Sequence, residues 1–567
     1  MRSARRPRAH RLPLSGVLRV NRPSEIWFKP ALSVVVATAP PSLTLLALDR
    51  LDLAMYTMAG SLCALYAHHR PYAVRALTLA RVVLGMVAGL AVALVTASLT
   101  TNAVALVTVG ALLAAVQKAL CDASRIGPPA NVVLTFVTSA ALFVPQTLAQ
   151  VPGHLAVTAV AGVWAWLVCM APGLPRPYGP ERRAAAQALH AVAAHAEEPE
   201  RPGSHAAAAA AVHTAWQTLL AAGPRTGPRT EPRRALAALL VRADTALAAP
   251  AEAHPARLRA LAGDALAVAH LRRAATPAGA AEAPRDAAEA PRDAERPGTG
   301  RRRSSWTARP SWTARPSWTP RALLTPVAVR TALGCALAGY VSLALGVGRP
   351  YWALVTAASL YQANLTLTWS RGVQRVVGNL VGVLAFAALV PLAHLGPAAL
   401  VLCCLALAFG TEALISRNYW LGTVCVTPMA LLVTEFVRLA DPGDLITDRL
   451  LDTLVGALVG FLAAVVVMDR RAGDRVARAL AAVERAHAHT LRTAADPDAA
   501  PGALPTARRA LSAALVELRA VTDTASGEWW QRALPTERVT HVERAGHRTL
   551  AATVRQHGFQ AAEGARA

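Results

Sequence analysis

Arg371-Gly-Val-Gln-Arg375 leads directly into Val376-Val-Gly-Asn-Leu-Val-Gly-Val-Leu-Ala-Phe-Ala-Ala-Leu-Val-Pro-Leu-Ala393. Past the second arginine no charged side chain appears before Ala393. A helix rising ~1.5 Å per residue over such a run nearly matches the ~30 Å hydrocarbon core of a bilayer. Arginines crowd one end and are missing from the other, which is the pattern of a membrane helix whose basic end faces the cytoplasm.

Reading outward, comparable runs lie at 327–345, 351–367, 397–415, 419–437 and 450–468. A second set lies upstream at 31–48, 53–67, 82–99, 103–120, 131–149 and 155–171. The expected fold is therefore all-α: a polytopic membrane protein with two blocks of about six transmembrane helices and helical cytoplasmic domains. Its parts are a basic cytoplasmic N-terminus (1–28), a first membrane block (29–171), a cytoplasmic helical domain (172–276), a low-complexity linker (277–321), a second membrane block (322–468) and a C-terminal helical domain (469–567). Lys29-Pro-Ala-Leu32 opens the first run as Arg330-Thr-Ala-Leu333 opens the seventh, and Arg81 precedes the third run as Arg375 precedes the ninth. An even number of crossings in each block makes the blocks parallel repeats.

The composition agrees. Of 567 residues, 54% are hydrophobic and only 16% charged, against roughly a quarter charged in soluble domains. The formal charge of +24 raises the question of nucleic acid. The basic residues, however, sit in the flanks and loops of apolar runs, and no basic recognition helix or aromatic RNA-binding signature accompanies them. The loops with His68, His69, Arg70, Arg75 and Arg81, with Lys118 and Arg125, and with Arg417 fall on the side of the basic N-terminus. That side is read as cytoplasmic, with both termini on it, in the cell membrane. Cys63, Cys121, Cys169, Cys335, Cys403, Cys404 and Cys425 lie in or beside apolar runs without CxxC spacing and read as small hydrophobes. Within the linker, AEAPRDA occurs twice from Ala281 to Ala294, and SWTARP occurs at Ser305 and Ser311 with a truncated SWTPR at Ser317. Proline and low apolar content exclude a core there.

Arg349-Pro-Tyr351-Trp352, continued through Arg371 and Arg375 to Gly378 and Gly382, and Arg449-Leu-Leu-Asp452-Thr-Leu-Val-Gly456 together resemble the fusaric acid resistance type, also described as the aromatic acid exporter family. The resemblance covers about 327–468, with the first block a looser copy. It implies an inner-membrane exporter of weak aromatic acids or related organic anions, driven by protons. Some members act with a periplasmic adaptor, for which this chain supplies nothing, and related plant proteins are anion channels. A homodimer fits the family.

The same residues can be read physically. Arg371 and Arg375 share a helix face and can bind a carboxylate in bidentate geometry, or anchor the helix on lipid phosphates as any cytoplasmic loop arginine does. Asn364 offers an uncharged hydrogen-bonding group to a substrate. Glu412, near the end of the tenth run, can carry a coupling proton or pair with Arg417. Arg349, Tyr351, Trp352, Arg449, Asp452 and Gly456 form the motif, with Arg449 and Asp452 spaced to pair and Gly456 and Gly460 spaced for close helix approach. Glu435 reads as interfacial. His68-His69 lacks a third metal ligand. With no P-loop, nucleophile elbow or dinucleotide fingerprint, neither an enzyme nor a cofactor is expected. Three functions stand: a proton-coupled secondary transporter exporting small organic acids, a passive anion channel on the same scaffold, or a non-transporting membrane scaffold protein.

Overall fold

A computed structural model describes residues 14, 16–21, 27–201, 203–221, 231–267, 325–347, 349–436, 441–467, 472–500, 502–528 and 534–563. The tandem repeats and the whole linker lie outside the described residues, as does the side chain of Glu435. The chain divides into two compact units, one of residues 1–177, 316–476 and 521–534, the other of 178–315, 477–520 and 535–567.

In the first unit, the first block comprises α1 (Phe28–Ala47), α2 (Ala54–Ser61), α3 (Tyr72–Leu99), α4 (Ala103–Ser124), α5 (Val132–Ala141) and α6 (Val151–Met170). The helices of the intervening segment are α7 (Gly179–Glu197), α8 (Ser204–Ala221), α9 (Glu231–Ala248) and α10 (Pro255–Leu266). The second block is α11 (Pro326–Ala344), α12 (Pro350–Leu360), α13 (Leu365–Ala393), α14 (Pro397–Ile415), α15 (Tyr419–Glu435) and α16 (Pro442–Val466), followed by α17 (Ala472–Ala495), α18 (Ala503–Ser526) and α19 (Thr536–Glu563).

Polar caps start several of these helices. The Asn102 side chain accepts from the amides of Val104 and Ala105, and Asp441 from those of Gly443 and Asp444, satisfying donors that helix geometry leaves open. Large aliphatic side chains such as Leu84, Val160, Leu384 and Leu458 point outward and are more than half exposed, as a lipid-facing surface requires. The interior mixes small residues with large ones such as Trp352, Tyr66, Phe386 and Met86, and six of the seven cysteines are buried thiols among them.

Twelve full-length crossings are not what the chain forms. Among the described residues, eight helices are long and apolar enough to cross a membrane. The second and fifth members of each block are short: α2 is eight residues between two short 3-10 turns, α5 ten, α12 eleven and α15 seventeen. The expected spans 53–67, 131–149 and 351–367 are interrupted, the first by 3-10 turns on either side of α2 and the other two by polar sequence, with a proline after α5. Asn131 precedes α5, Pro145 and Gln146 follow it, and Gln362 to Asn364 separate α12 from α13.

The repeat is visible in neighbours as well as lengths. Second packs on sixth (α2 with α6, α12 with α16), third on fifth (α3 with α5, α13 with α15), and third on sixth (α3 with α6, α13 with α16). Across the blocks α1 packs on α14 and α4 on α11, a reciprocal first-to-fourth exchange. Glycine permits the second-to-sixth contact in both copies. A methyl group on Gly60 would overlap the backbone of Thr158 and Gly162, and one on Gly456 would overlap the carbonyl of Ala353. Gly456→Ala is expected to lower stability by about 1–3 kcal/mol through overpacking, whereas Gly153→Ala, with open space around its α-carbon, is neutral. Thermal aggregation of the detergent-purified variants followed by size-exclusion fluorescence measures the difference.

The first unit also ties in residues 521–528. Buried Arg330 pairs with Glu528 at 3.5 Å and donates to the carbonyl of Val467, and Thr366 Oγ1 donates to the carbonyl of Gly527 at 2.8 Å.

The second unit packs α7 to α10 around a core of Leu189, Val192, Leu236, Leu239 and Ala262, with α19 against α9. Three histidines pack edge to face inside it: the His205 ring centroid lies 5.1 Å from that of His195 and 4.3 Å from that of His547. Burial, then the nearby His205, pushes His547 down to about 4, and burial lowers His195 and His205 too. An unfolded chain protonates His547 near its ordinary 6.5, so acidification favours the unfolded state between those values. This unit should lose on the order of 3 kcal/mol from that residue as the pH falls from 7 towards 4. Hydrogen exchange in α8 and α19 of the full chain, corrected for intrinsic rates, reads this directly, and His547→Phe should remove most of the dependence.

Candidate functional site

The short helices surround a cavity in the first unit, about 1780 Å³ in volume. Its wall takes Met58 and Leu62 from around α2, Phe136 and Ala140 from α5, Tyr351 and Val355 from α12, and Thr423 and Met429 from α15. Half-length helices leave backbone ends and side chains facing a shared space at depth, where a full-length helix would close it. The lining includes residues from both ends of the bundle: Lys118, Arg417 and Asn418 at the end where α1 begins, and Arg349, Asp441 and Asp444 at the other.

Arg371, Arg375, Glu412 and Arg449 all line this one cavity. Arg375 is only 3% exposed. Its Nη1 donates to the Tyr419 hydroxyl at 3.1 Å, and its Nε has no hydrogen-bond partner. The Arg371 guanidinium lies over the Tyr419 ring, 3.9 Å from its centroid, so one tyrosine holds both arginines, by ring face and by hydroxyl. Arg449 is 1% exposed, with Nε and Nη1 unpartnered, and its guanidinium lies 5.1 Å from the Trp352 ring. Arg349 flanks the same ring at 5.1 Å and reaches Asp448 at 3.9 Å.

The other motif residues are structural in position. Asp452 is buried and makes no ion pair with Arg449. Its Oδ1 accepts from Ser342 at 2.6 Å, tying α16 to α11, while Oδ2 has no partner. One helical turn separates Arg449 from Asp452, but the arginine turns to the cavity and the tryptophan face instead. Asn364 does not line the cavity. Its Oδ1 caps α13 by accepting from Leu367 N at 2.9 Å, and its Nδ2 donates to Thr524 O at 3.1 Å. Glu412 makes no ion pair with Arg417 and faces the cavity. Sequence reading passed over Tyr419, which organises the arginine pair. A tyrosine opening an apolar helix right after Arg417-Asn418 was its only trace.

All four charged groups, with Arg349 and Tyr419, fall within one continuous stretch of the second block. Residues 336–463 match the family model described as fusaric acid resistance protein-like. The resemblance read from the arginine motifs therefore holds for this fusaric acid resistance-like domain. The uncharacterized membrane protein YvaC of Bacillus subtilis (strain 168) is 31% identical over 141 residues, which is 24% of this chain and 22% of that protein. The chain thus aligns with about a fifth of that relative's length. No solved structure matches. Among the described residues, no cluster of histidine, cysteine, aspartate or glutamate is arranged to hold a metal ion.

Tyr419→Phe keeps the ring under Arg371 and removes the hydroxyl from Arg375. Under the function proposed below, it is expected to weaken binding of benzoate or a related organic anion to the purified protein by about tenfold, the cost of a misoriented charged donor, and to leave thermal stability nearly unchanged. Isothermal calorimetry alongside a melting curve separates the two effects.

Proposed function

We propose that this chain is a secondary transporter exporting small organic anions, aromatic acids among them, from the cytoplasm, with a proton carried by Glu412. One observation supports this above the rest: two nearly fully buried guanidinium groups with unpartnered N–H groups, Arg375 and Arg449, belong to the wall of the cavity that Glu412 also lines. A buried, unsatisfied guanidinium is costly, and a carboxylate is the ligand whose geometry and charge relieve that cost. Arg371 and Arg375 lie where an anion enters from the N-terminal side. That side is cytoplasmic by its excess of lysine and arginine, with both termini there and the bundle in the cell membrane. Aromatic rings at Tyr351, Phe143 and Tyr419 favour a flat, apolar substrate body beside the charge.

A passive anion channel is the second reading, favoured by a cavity lining that reaches both ends of the bundle. Proteoliposome flux of labelled aromatic acids tests both. Under the transporter reading, a pH gradient drives uptake against concentration, Glu412→Gln abolishes that accumulation, and Arg375→Gln lowers flux by about 10²-fold or more. Flux that follows voltage alone and is unchanged in Glu412→Gln would establish the channel. No flux under either gradient would refute both.

A further inference from the structure

The cavity rim carries a peptide-binding groove already occupied by the chain itself. Gly16 to Asn21 lies along the start of α15 and the middle of the first half of α13, and its backbone is read by side chains. Gln374 Nε2 donates to Val17 O at 2.9 Å, and Asn418 Nδ2 donates to the carbonyls of Val17 and Arg19, both at 3.0 Å. Trp420 Nε1 donates to Leu18 O at 3.1 Å, and Asn21 N donates to the carbonyl of Arg417 at 3.0 Å. Three consecutive carbonyls thus each find a side-chain donor, which is how a groove recognises an extended or turned peptide regardless of most of its side chains. The one side chain taken up is Val17, which is 8% exposed. Gly16 makes the local turn, with φ of +85° and its carbonyl accepting from Arg19 N, a backbone state that disfavours any side chain.

The position of this segment gives it a role. Gln374, Arg417 and Asn418, three of the residues that hold it, line the cavity, and so does Asn21 from the segment itself. Gln374 is also flanked within α13 by Arg371 and Arg375. Five hydrogen bonds of modest individual worth, plus one buried valine, make a contact that holds at rest and can be displaced.

We infer that residues 16–21 form a strap that closes the rim of the cavity on the N-terminal side and must leave its groove for solute to reach Arg371 and Arg375. Closure of the rim is independent of what the protein carries. Control of transport by the strap rests on the function proposed above.

The test uses the full chain in nanodiscs with Thr411→Cys as a reporter inside the cavity, labelled by a membrane-impermeant maleimide and located by mass spectrometry. Asn418→Ala, which removes two of the bonds, and Val17→Asp, which cannot bury its side chain, are each expected to raise the labelling rate about tenfold. A synthetic peptide of residues 14–21 added to Val17→Asp should restore the slow rate. Equal rates in the parent and both variants, with unchanged melting temperatures, would overturn the strap. In proteoliposomes the same variants should raise flux by a similar factor. Faster labelling without any flux in any form leaves the strap standing and refutes the transport reading, whereas flux with unchanged labelling refutes the strap alone.

Discussion

The arrangement depends on placing guanidinium groups inside an apolar bundle. Arginine does not shed its charge, so burial has to be offset by ring faces, hydroxyls or a counter-charge. Tyr419 serves Arg371 and Arg375, and Trp352 serves Arg349 and Arg449. Neither arrangement completes the hydrogen bonding of Arg375 or Arg449. A structural ion pair would have spent those donors. The pairing of Asp452 with Ser342 rather than Arg449 leaves the Arg449 donors unspent in the cavity wall.

Room for this chemistry comes from the shortened helices. Eight long helices make the wall against lipid, while the second and fifth elements of each block stop partway and let the cavity extend between them. Their ends are set by sequence that cannot remain in lipid: asparagine and proline around α5, and Gln362 to Asn364 after α12. Close approach at Gly60 and Gly456 then locks each short second helix to the sixth of its own block. The cavity is therefore a consequence of where helices end, and the packing around it is tight.

Much of this was legible in the chain. Apolar length, flanking arginines and the Arg349 to Gly456 motif led to the membrane bundle, the repeat and the family resemblance, and they nominated Arg371, Arg375 and Glu412. What a one-dimensional reading lacks is the direction of side chains. Spacing alone paired Arg449 with Asp452, because residues three apart share a helix face, yet the tryptophan on α12 competes for the arginine and Ser342 on α11 for the aspartate. Asn364 looked available for a ligand because nothing in sequence tells a capping asparagine from a binding one; its partners, Leu367 and Thr524, are 3 and 160 residues away. Run length likewise exceeded helix length at 53–67, 131–149 and 351–367, since hydropathy averages over the very residues that end the helices.

The two blocks share an architecture but divide the labour. Arg81 and Arg375 occupy matching places before the third helix core of each copy, yet Arg81 is exposed and Arg375 buried. The first block contributes Lys118, Asp122 and Arg125 to the lining, and behind Asn131 it holds a neutral network in which Gln117 accepts from Thr135 and donates to Thr138, and Asn131 donates to Thr135. A symmetric pair of buried arginine sites facing one space would double an unfavourable buried charge. The two deeply buried arginines of the lining, Arg375 and Arg449, thus belong to the second copy, while the first copy's charged lining residues, Lys118, Asp122 and Arg125, stand at the N-terminal end and are less buried.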